Sequence, residues 1–381
     1  MGYAASLPSV DRLEARVLRT HAELAALADE WDRLYAVSPR ATPFQTHAWV
    51  SAWARAYVPA GELFVAEVRR EARLVAAAPL FRDRRGPWRV LAPLGGAISD
   101  HTDVLVAADE PGALDALGRV LLAEPGWQVI DLPDVRPDAV ARAWADTWPG
   151  RASRLPASTV LELPALPLPD LLDRMPPRTA KTMRRKLRKV EQAGIEVRNV
   201  PADEVPQAVG RLLRLHEEQW AGRGGTPEHR TERFRDHLVT ALTRMVDDGT
   251  AVLAEYSSAG EVRVEQILLL GHDTVSYYLA GISPQLRQDM DTAALLVEHD
   301  AGLAVQRGAE RYSMLRGLED YKFRWRPEPV VQERVLLSRP GPGGLAYGAL
   351  VRARAAAVRR VKEQAPWVRE LRDRAVRRIR G

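Results

Sequence analysis

One strand–turn–strand pattern occurs twice in this sequence, and it limits the folds that the chain can adopt. Residues 63–80 (LFVAEVRREARLVAAAPL) and residues 251–269 (AVLAEYSSAGEVRVEQILL) each contain a strand, a charged turn and a second strand. Because the two stretches occupy equivalent places in two halves of similar length, a duplicated α/β unit is the simplest explanation. We therefore predict an α/β protein with mixed sheets, in two similar domains at residues 1–165 and 166–340, followed by a basic helical tail at residues 341–381.

The order of elements is clearest in the second half. Three strand-like runs precede a polar loop, a helix with apolar positions and a short strand, at residues 250–256, 262–270, 274–280, 286–292, 293–307 and 311–315. A strand end, a loop and a helix N-terminus in this order can receive a pyrophosphate. In the first half, the pattern predicts amphipathic helices at residues 22–37 and 47–57 and a proline-rich connector at residues 164–169.

The composition excludes several kinds of site. The chain has 381 residues and no cysteine, which excludes disulfide bonds, thiolate metal sites and a cysteine nucleophile. The His/Asp cluster at residues 100–103 (DHTD) fits turn caps better than a standard metal-ligand spacing. We find no uncharged apolar run of the roughly 20 residues that span a bilayer, and no signal-peptide pattern at the first residues. We therefore expect a cytoplasmic protein.

The basic charge is concentrated at the end of the chain. From Gly341 onward there are 11 Arg and Lys against 3 Asp and Glu, whereas the other 340 residues hold 44 against 47. Residues 346–364 and 367–380 each place apolar side chains at helical spacing among arginines. Such helices lie on an anionic membrane surface, contact a partner chain or pack on the protein body. The first alternative would put the protein at the inner face of the membrane, and the sequence predicts no oligomeric state.

A second basic segment is the predicted helix at residues 179–192, which holds three of the five lysines. Two interpretations are open. The charges form a solvated helix face, or they form a surface that binds the phosphates of CoA, an anionic glycan or RNA. No aromatic residue lies among them, which argues against a platform that stacks single-stranded bases.

Three blocks of sequence resemble the GNAT acyltransferase superfamily, and specifically its CelD/BcsL-like subgroup. The first runs from residue 277 (YYLAGISP) to residue 325 and contains RGLEDYK at residues 316–322, which has the R-G-x-x-x-Y-K form. The others are residues 44–53 (FQTHAWVSAW) and residues 74–106. The resemblance covers about residues 30 to 330. It implies two tandem GNAT-like domains, of which the C-terminal one is usually active.

The resemblance also implies an acyl-CoA such as acetyl-CoA as co-substrate, with no metal. On the family pattern, the strand around Tyr277 and Leu279 would hold the pantetheine arm and the acyl carbonyl. Arg287 and Thr292 would hold the pyrophosphate at the start of the following helix, and Arg316 is a further predicted CoA contact.

The expected pyrophosphate loop departs from the superfamily. Residues 287–292 read RQDMDT, with neither of the usual glycines. Asp289 and Asp291 bring negative charge toward an anion site, although Asp291 also fits an N-cap of the helix. Either role weakens the prediction that this loop binds CoA.

Acyl transfer needs a polarised carbonyl, a nucleophile that loses a proton, and neutralised donor phosphates. The candidate catalytic residues are Glu217, Glu265, Tyr278, Asp320, Tyr321 and Lys322. Glu265 or Glu217, or the neighbouring His216, would act as the base. The loop at residues 221–225, which follows this predicted helix, is of the kind that borders a site.

The other candidates would act on the carbonyl and the leaving group. Lys322, beside Asp320, would steady a developing oxyanion. Tyr277 or Tyr278 would protonate the leaving thiolate, since one of two consecutive strand residues faces the cleft. Each candidate also fits a structural role, as a solvent-facing residue, a buried histidine or a local ion pair.

We therefore hypothesise an acyl-CoA-dependent N- or O-acyltransferase that acts on a sugar, amino sugar or amine acceptor in cell-envelope or polysaccharide metabolism. One alternative is a related Fem-type transferase, which takes an amino acid from aminoacyl-tRNA. Such enzymes commonly carry a long helical hairpin, and the second half shows no inserted pair of long helices. The other alternative is a non-catalytic binding protein with the GNAT fold. The expected partners are a small molecule or a glycan, with tRNA kept as an alternative.

Overall fold

Strands and helices alternate along both halves of the chain, for which the computed structural model describes residues 13–222 and 225–364. The first half contains, in chain order, β1 (Leu13–Leu18), α1 (His21–Ala25), α2 (Ala28–Ala36), α3 (His47–Tyr57), β2 (Leu63–Arg70), β3 (Arg73–Arg85), β4 (Trp88–Pro93), β5 (Leu105–Val106), α4 (Ala113–Ala123), β6 (Val129–Val135), α5 (Val140–Thr147) and β7 (Arg151–Pro164). The second half contains α6 (Leu168–Asp173), α7 (Pro177–Gln192), β8 (Glu196–Asn199), α8 (Val205–Trp220), α9 (Glu232–Asp247), β9 (Ala251–Ser258), β10 (Glu261–Leu270), β11 (Thr274–Ile282), α10 (Pro284–Asp289), α11 (Thr292–Gln306), β12 (Arg311–Arg316), α12 (Asp320–Phe323), β13 (Glu328–Ser338) and α13 (Pro342–Gln364).

The strands of both halves join in one mixed sheet. Their order is β1-β2-β3-β4-β6-β13-β7-β12-β11-β10-β9-β8, with the short β5 paired to β3. Antiparallel pairing leads from β1 to β4 and from β8 to β11, with helices between the first two strands of each series. In each half the next long strand then lies parallel, with β6 beside β4 and β12 beside β11. The two halves therefore have the same strand order, which confirms the duplicated α/β unit.

The halves exchange their last strands. β7, which ends the first half, pairs with β12 of the second half, and β13, which ends the second half, pairs with β6 of the first. β7 and β13 also pair with each other, antiparallel, at the centre of the sheet. The domain boundaries at residues 165 and 340 stay predictions.

Helices cover both faces of the sheet. On one face, side chains of α2, α3, α8 and α9 form a single buried cluster over strands of both halves. On the other face, α4 and α5 cover the first half, while α6, α7 and α11 cover the second. Because α3 also packs against α9, the first face is continuous from one half to the other.

Several element predictions need correction. The helix predicted at residues 22–37 is two helices, α1 and α2, with a break at residues 26–27. The polar loop predicted at residues 286–292 contains α10, because Ser283 Oγ accepts a hydrogen bond from the N–H of Leu286 (3.2 Å) and Pro284 takes the first helical position. The proline-rich connector leads into α6, and the strands β1, β8 and β13 are additional to the predicted elements.

The basic tail begins with α13, whose first turns pack on the body. Tyr347 and Val351 are buried against β4, β6 and β13, while Arg352 and Arg354 are exposed. In the part of the chain that is described, no helix is both long and apolar enough to cross a membrane. The second predicted tail helix, at residues 367–380, lies outside the described residues. Membrane or partner contact by the tail therefore stays a prediction.

Candidate active site

β11 separates from β12 partway along its length. The two parallel strands pair only from Thr274 with Arg311 to Ser276 with Ser313. The backbone groups of residues 277–282 that face β12 therefore have no strand partner on that edge. This leaves a gap in the sheet of the second half.

A bulge in β11 coincides with the start of the gap. Leu268 of β10 pairs with Tyr277, and the adjacent Ile267 pairs with Leu279, so Tyr278 has no residue opposite it. The extra residue interrupts the alternation of side chains. Tyr278 and Leu279 consequently pack into the same cluster, with α3, α8 and α9, whereas Tyr277 packs on the opposite face with α7 and α11.

Helix α8 supplies hydrogen-bond partners to part of the free edge. His216 Nδ1 donates to the carbonyl oxygen of Ala280 (3.1 Å), and the side-chain oxygen of Gln219 accepts from the N–H of Ile282 (3.1 Å). Gly281 permits this approach, since a Cβ at this position would lie 2.2 Å from a backbone oxygen of α8. α8 and β11 are therefore in direct backbone contact beside the gap.

A cavity of about 1150 Å³ occupies the gap and reaches both faces of the sheet. On one face, here called the α11 side, its lining includes Tyr277, Arg287, Thr292, Leu296 and Tyr321. On the other face, here called the α8 side, its lining includes Trp53, Tyr57, His216, Gln219, Glu228 and His229. Both of the two consecutive tyrosines, Tyr277 and Tyr278, line the cavity, because it extends to both faces of the sheet.

Most of the predicted site residues meet at this cavity. It is lined by Tyr277, Tyr278, Leu279, Arg287, Thr292, Arg316, Tyr321 and Lys322. Glu217, Glu265 and Asp320 lie outside its lining. The roles of all these residues stay predictions, and the contacts described next limit what several of them can do.

The three acidic candidates are placed away from the cavity. Glu217 is exposed on α8, with Arg230 3.7 Å away. Glu265 is fully buried in β10, where its carboxylate accepts a hydrogen bond from Arg211 Nε (2.7 Å); burial raises the pKa of Glu265 to about 7, against the opposing effect of Arg211. Asp320 is exposed at the start of α12. None of the three is in position to take a proton from a substrate in the cavity.

Lys322 is held by its own neighbourhood rather than presented to a substrate. Its Nζ donates to the carbonyl oxygens of Met314 (3.0 Å), Arg316 (2.9 Å) and Gly317 (3.3 Å). It also pairs with Glu319 (2.9 Å), not with Asp320 as predicted. An ammonium has three protons, and these four acceptors use all of them. Lys322 therefore braces the turn after β12.

Arg316 is likewise engaged within the protein. Its guanidinium bonds to Asp100, to Asp134 (3.0 Å) and to the carbonyl oxygen of Ala97 (2.8 Å). All three partners belong to the first half of the chain. Arg316 thus links the two halves at the edge of the cavity, and this position does not match the predicted contact with CoA phosphates.

The N-terminus of α11, expected to receive a pyrophosphate, is closed by Asp291. The carboxylate of Asp291 accepts a hydrogen bond from the N–H of Ala294 (3.1 Å). The same carboxylate pairs with Lys186 of α7 and with Arg324 (3.4 Å). Thr292 lines the cavity, but the charge next to it is negative and already neutralised. This arrangement opposes a phosphate at the helix end.

Tyrosines contribute neutral phenols to the cavity. Burial raises the pKa of Tyr277, Tyr278 and Tyr321, so all three stay protonated near neutral pH. The hydroxyl of Tyr278 already donates to the carbonyl oxygen of Ile98 (3.1 Å). Tyr321 lines the cavity, and the described residues provide no hydrogen-bond partner for its hydroxyl.

Two histidines form a hydrogen-bonded pair on the α8 side. His229 Nδ1 lies 3.1 Å from His216 Nε2, and His216 Nδ1 lies 3.1 Å from the carbonyl oxygen of Ala280. The ring of His229 also stacks on Phe234, with centroids 4.7 Å apart. Burial lowers the pKa of His216, and burial with the nearby His216 ring lowers the pKa of His229 to about 4.

The carboxylate of Glu228 lies next to this pair and is hydrogen-bonded to three neighbouring side chains. Glu228 accepts hydrogen bonds from Tyr57 Oη (2.8 Å), from Arg233 (2.8 and 2.7 Å) and from Thr231 (3.1 Å). These donors, Arg233 first, lower the pKa of Glu228 to about 2. His229, Glu228, Tyr57 and Arg233 are missing from the predicted site, because no motif marks them. The only sequence signal is the neighbouring loop at residues 221–225.

Comparisons with known proteins identify the second half more closely. Residues 177–323 match the family described as an acetyltransferase (GNAT) domain. Among solved structures, FemX aligns with a TM-score of 0.58 at 12% identity, over 84% of this chain and 96% of that one. L-PGS from Bacillus licheniformis aligns with 0.52 at 13%, over 87% and 96%. A conserved protein of unknown function from Bacteroides thetaiotaomicron aligns with 0.57 at 11%, over 85% and 100%. No curated protein sequence matches.

Proposed function

Because residues 177–323 belong to the GNAT acetyltransferase family, we propose that the protein transfers an acyl group from a donor on the α11 side of the cavity to an amine or hydroxyl acceptor on the α8 side. The observation that carries this proposal is a cavity that reaches both faces of the sheet where β11 leaves β12. Substrates that enter from opposite faces would meet beside the bulge at Tyr278. Holding two reactants together removes much of the entropy cost of their encounter.

A backbone N–H of β11 is placed to hold the acyl carbonyl. In an antiparallel strand, the N–H and C=O of one residue point to the same edge. The carbonyl of Ala280 accepts from His216 instead of from β10, so the N–H of Ala280 also points into the gap. Ala280 lines the cavity. A preorganised N–H at this position would stabilise the charge that develops on the carbonyl oxygen.

The donor that fits the α11 side best is an aminoacyl-tRNA. The N-terminus of α11 is already occupied by the carboxylate of Asp291, which accepts from the N–H of Ala294 and pairs with Lys186, so a pyrophosphate would have to displace it. The fold is shared with FemX, and the resemblance to Fem-type transferases implies a tRNA-borne amino acid as donor. An aminoacyl ester would reach the gap through its terminal nucleotide, and the tRNA body would remain outside.

A stripe of cations on α7 supports this choice. Arg178, Lys181, Arg185 and Arg188 are exposed, and the described residues give none of them an ion-pair partner. Their spacing puts them on one face of α7, over a length of about 15 Å at the usual helical rise. Lys186 of the same helix contacts Asp291 at the cavity, so α7 runs beside the donor side, and the stripe lies on the solvent face of this helix, opposite its buried residues. Evenly spaced cations suit a phosphate backbone.

An acyl-CoA is the second candidate donor, because the matching family is described as an acetyltransferase and Arg287 lines the α11 side. For the acceptor, Trp53 and Tyr57 present stacked rings with centroids 5.0 Å apart on the α8 side. Arg233 also lies over the ring of Tyr57, 4.8 Å from its centroid, so these rings form a packed wall of the acceptor side. A glycan, an amino sugar or an amine is the proposed acceptor class, in keeping with a role in envelope or polysaccharide metabolism.

The test compares the two donors directly. Fluorescence anisotropy would measure binding of labelled alanyl-tRNA over a series of salt concentrations, and calorimetry would measure acetyl-CoA. A stripe variant would carry the four changes Arg178→Gln, Lys181→Gln, Arg185→Gln and Arg188→Gln. A control variant would lose the same charge elsewhere, through Arg55→Gln, Arg84→Gln, Arg89→Gln and Arg235→Gln, at exposed positions away from α7.

For the tRNA donor, we expect the plot of the logarithm of the binding constant against the logarithm of the salt concentration to be less steep by about 3 to 4 in the stripe variant, because each lost phosphate contact reduces the slope by about 0.9. The control variant would keep the wild-type slope. Binding of acetyl-CoA without tRNA binding would select the second candidate. If neither donor binds the wild-type protein, the transferase proposal is wrong.

A further inference from the structure

The carbonyl oxygen of Ala280 determines the protonation of two histidines. A carbonyl oxygen can only accept a hydrogen bond, so His216 Nδ1 must carry a proton to make its 3.1 Å contact. A neutral His216 then has a lone pair on Nε2. His229 Nδ1, 3.1 Å from that lone pair, must therefore be the donor. The Nε2 atom of a neutral His229 is consequently an unprotonated acceptor.

That Nε2 atom is open to the cavity. His229 lines the α8 side, and its Nε2 is neither hydrogen-bonded to a described residue nor among the buried polar atoms that lack a partner. Stacking on Phe234 fixes the plane of the ring. The lone pair is therefore both oriented by its neighbours and accessible to a molecule on the acceptor side.

Burial keeps both histidines neutral, against the opposing effect of Glu228 on the pKa of His229. Glu228 precedes His229 and is saturated by Tyr57, Thr231 and Arg233. Arg230, which follows His229, lowers the pKa of His216. Burial lowers the pKa of both histidines. Near neutral pH, the pair thus holds two Nδ1 protons and one free lone pair.

We propose that His229 is the general base of the acceptor side, and that His216 is the positioning residue that fixes its tautomer. This inference rests on the proposed acyl transfer and names the proton acceptor for it. The nucleophilic N–H or O–H of the acceptor gives its proton to His229 Nε2 while the new N–C or O–C bond forms at the acyl carbon. The acyl–oxygen bond of an aminoacyl ester, or the acyl–sulfur bond of a thioester, then breaks, and the leaving oxygen or sulfur takes a proton from the imidazolium.

The structure links this base to the rest of the reaction centre. The same residue, Ala280, holds His216 through its carbonyl and directs its N–H into the gap. A base and an oxyanion donor would therefore be mounted on one segment of β11. The acidic candidates Glu217 and Glu265 do not line the cavity, so His229 has no carboxylate competitor among them.

The first measurement tests the tautomers without any substrate. Nitrogen-15 correlation spectra of histidine-labelled protein at neutral pH would show His216 and His229 both protonated at Nδ1 and both unprotonated at Nε2. A proton on Nε2 of either ring would overturn the relay, whatever reaction the protein catalyses.

The second measurement tests the base. An asparagine amide can replace the Nδ1 donor of histidine but offers no lone pair at the Nε2 position, so His229→Asn keeps the bond to His216 and removes only the base. Transfer would be followed from alanyl-tRNA and from acetyl-CoA, with ethanolamine or hydroxylamine as the acceptor. Hydroxylamine is largely unprotonated at neutral pH and needs little help from a base.

We expect His229→Asn to slow transfer to ethanolamine by about 10²- to 10⁴-fold, the usual contribution of a general base, and to leave transfer to hydroxylamine within about threefold of wild type on the same reasoning. His272→Asn, outside the cavity, is the matched control and would leave both rates unchanged. Equal ethanolamine rates in wild type and His229→Asn would overturn the proposal for His229 alone. Absence of transfer to hydroxylamine by the wild-type protein would instead overturn the transferase function, and His229 as its base with it.

Discussion

Replacing Lys322 with methionine tests whether this lysine stabilises the turn after β12 or takes part in the reaction. Methionine fills nearly the same volume but cannot donate to the carbonyls of Met314, Arg316 and Gly317. The turn that these carbonyls belong to includes Leu315 at φ 52° and Gly317 at φ 107°. A leucine in this left-handed region is strained by about 1–2 kcal/mol, so the turn depends on contacts that hold it in place.

The expected loss of stability follows from the burial of the contacts. Lys322 is only 3% exposed, and its bond to Met314 is buried. One fully buried carbonyl without a donor costs about 1–3 kcal/mol, and the two partly buried carbonyls of Arg316 and Gly317 add to this. The side chain of Glu319 is 50% exposed, so the loss of its ion pair with Lys322 adds little, and the lost hydrogen bonds together cost about 2–4 kcal/mol. We expect Lys322→Met to lower the free energy of unfolding by about this amount.

Urea unfolding followed by circular dichroism measures the effect. Asp320→Asn, at an exposed position of the same short helix, is the matched control and should stay within about 0.5 kcal/mol of wild type. If Lys322→Met unfolds within about 1 kcal/mol of wild type while acyl transfer is lost, the brace is refuted. Lys322 would then act on the reaction itself, as the family resemblance implies.

Three further outcomes follow from the structure. Burial lowers the pKa of His101 to about 4 and the pKa of His237 to about 3. In the unfolded chain the same histidines bind protons near pH 6.5. The free energy of unfolding therefore falls as the pH drops from about 6.5 to 4, by up to about 1.4 kcal/mol per pH unit for each histidine. His237→Phe should reduce this slope in urea titrations at several pH values. Gly281→Ala puts a Cβ 2.2 Å from the backbone oxygen of Leu212 and should cost about 1–3 kcal/mol, measured by urea midpoint. Asp291→Ser keeps a capping oxygen without the charge and should tighten acetyl-CoA binding about 2- to 5-fold in calorimetry.

A local sequence pattern is sufficient to predict those strands whose own residues are mostly apolar and β-branched. β9, β10 and β11 are predicted to within two residues at each end, since apolar and β-branched residues dominate them. β13 also contains apolar and β-branched residues, but three polar ones interrupt them, although the strand lies near the centre of the sheet. Its Gln332, Glu333 and Arg334 look like surface residues, and their partners are in the first half of the chain. Contacts across such a sequence distance leave no trace in a local pattern.

The candidate site shows the same division. The resemblance brings eight predicted residues to one cavity, because the motif describes the strand and the turn that surround it. The motif cannot show which groups the charged side chains contact. Arg316 is satisfied by aspartates of the first half that only the fold brings near, and Lys322 by backbone oxygens that only the shape of the local turn directs toward it. His229 follows a loop without a motif, and its importance depends on a hydrogen bond to a helix residue that precedes it.

The exchange of β7 and β13 has a consequence for the way in which the chain is made. β13 is synthesised after every other strand, yet it completes the sheet of the first half beside β6. A nascent chain on the ribosome therefore holds β6 with an open edge until residues 328–338 have emerged, and open edges invite wrong pairing. We expect fragments cut between the halves to be insoluble when expressed singly and to recover when expressed together. We therefore expect the two halves to fold together as a single cooperative unit.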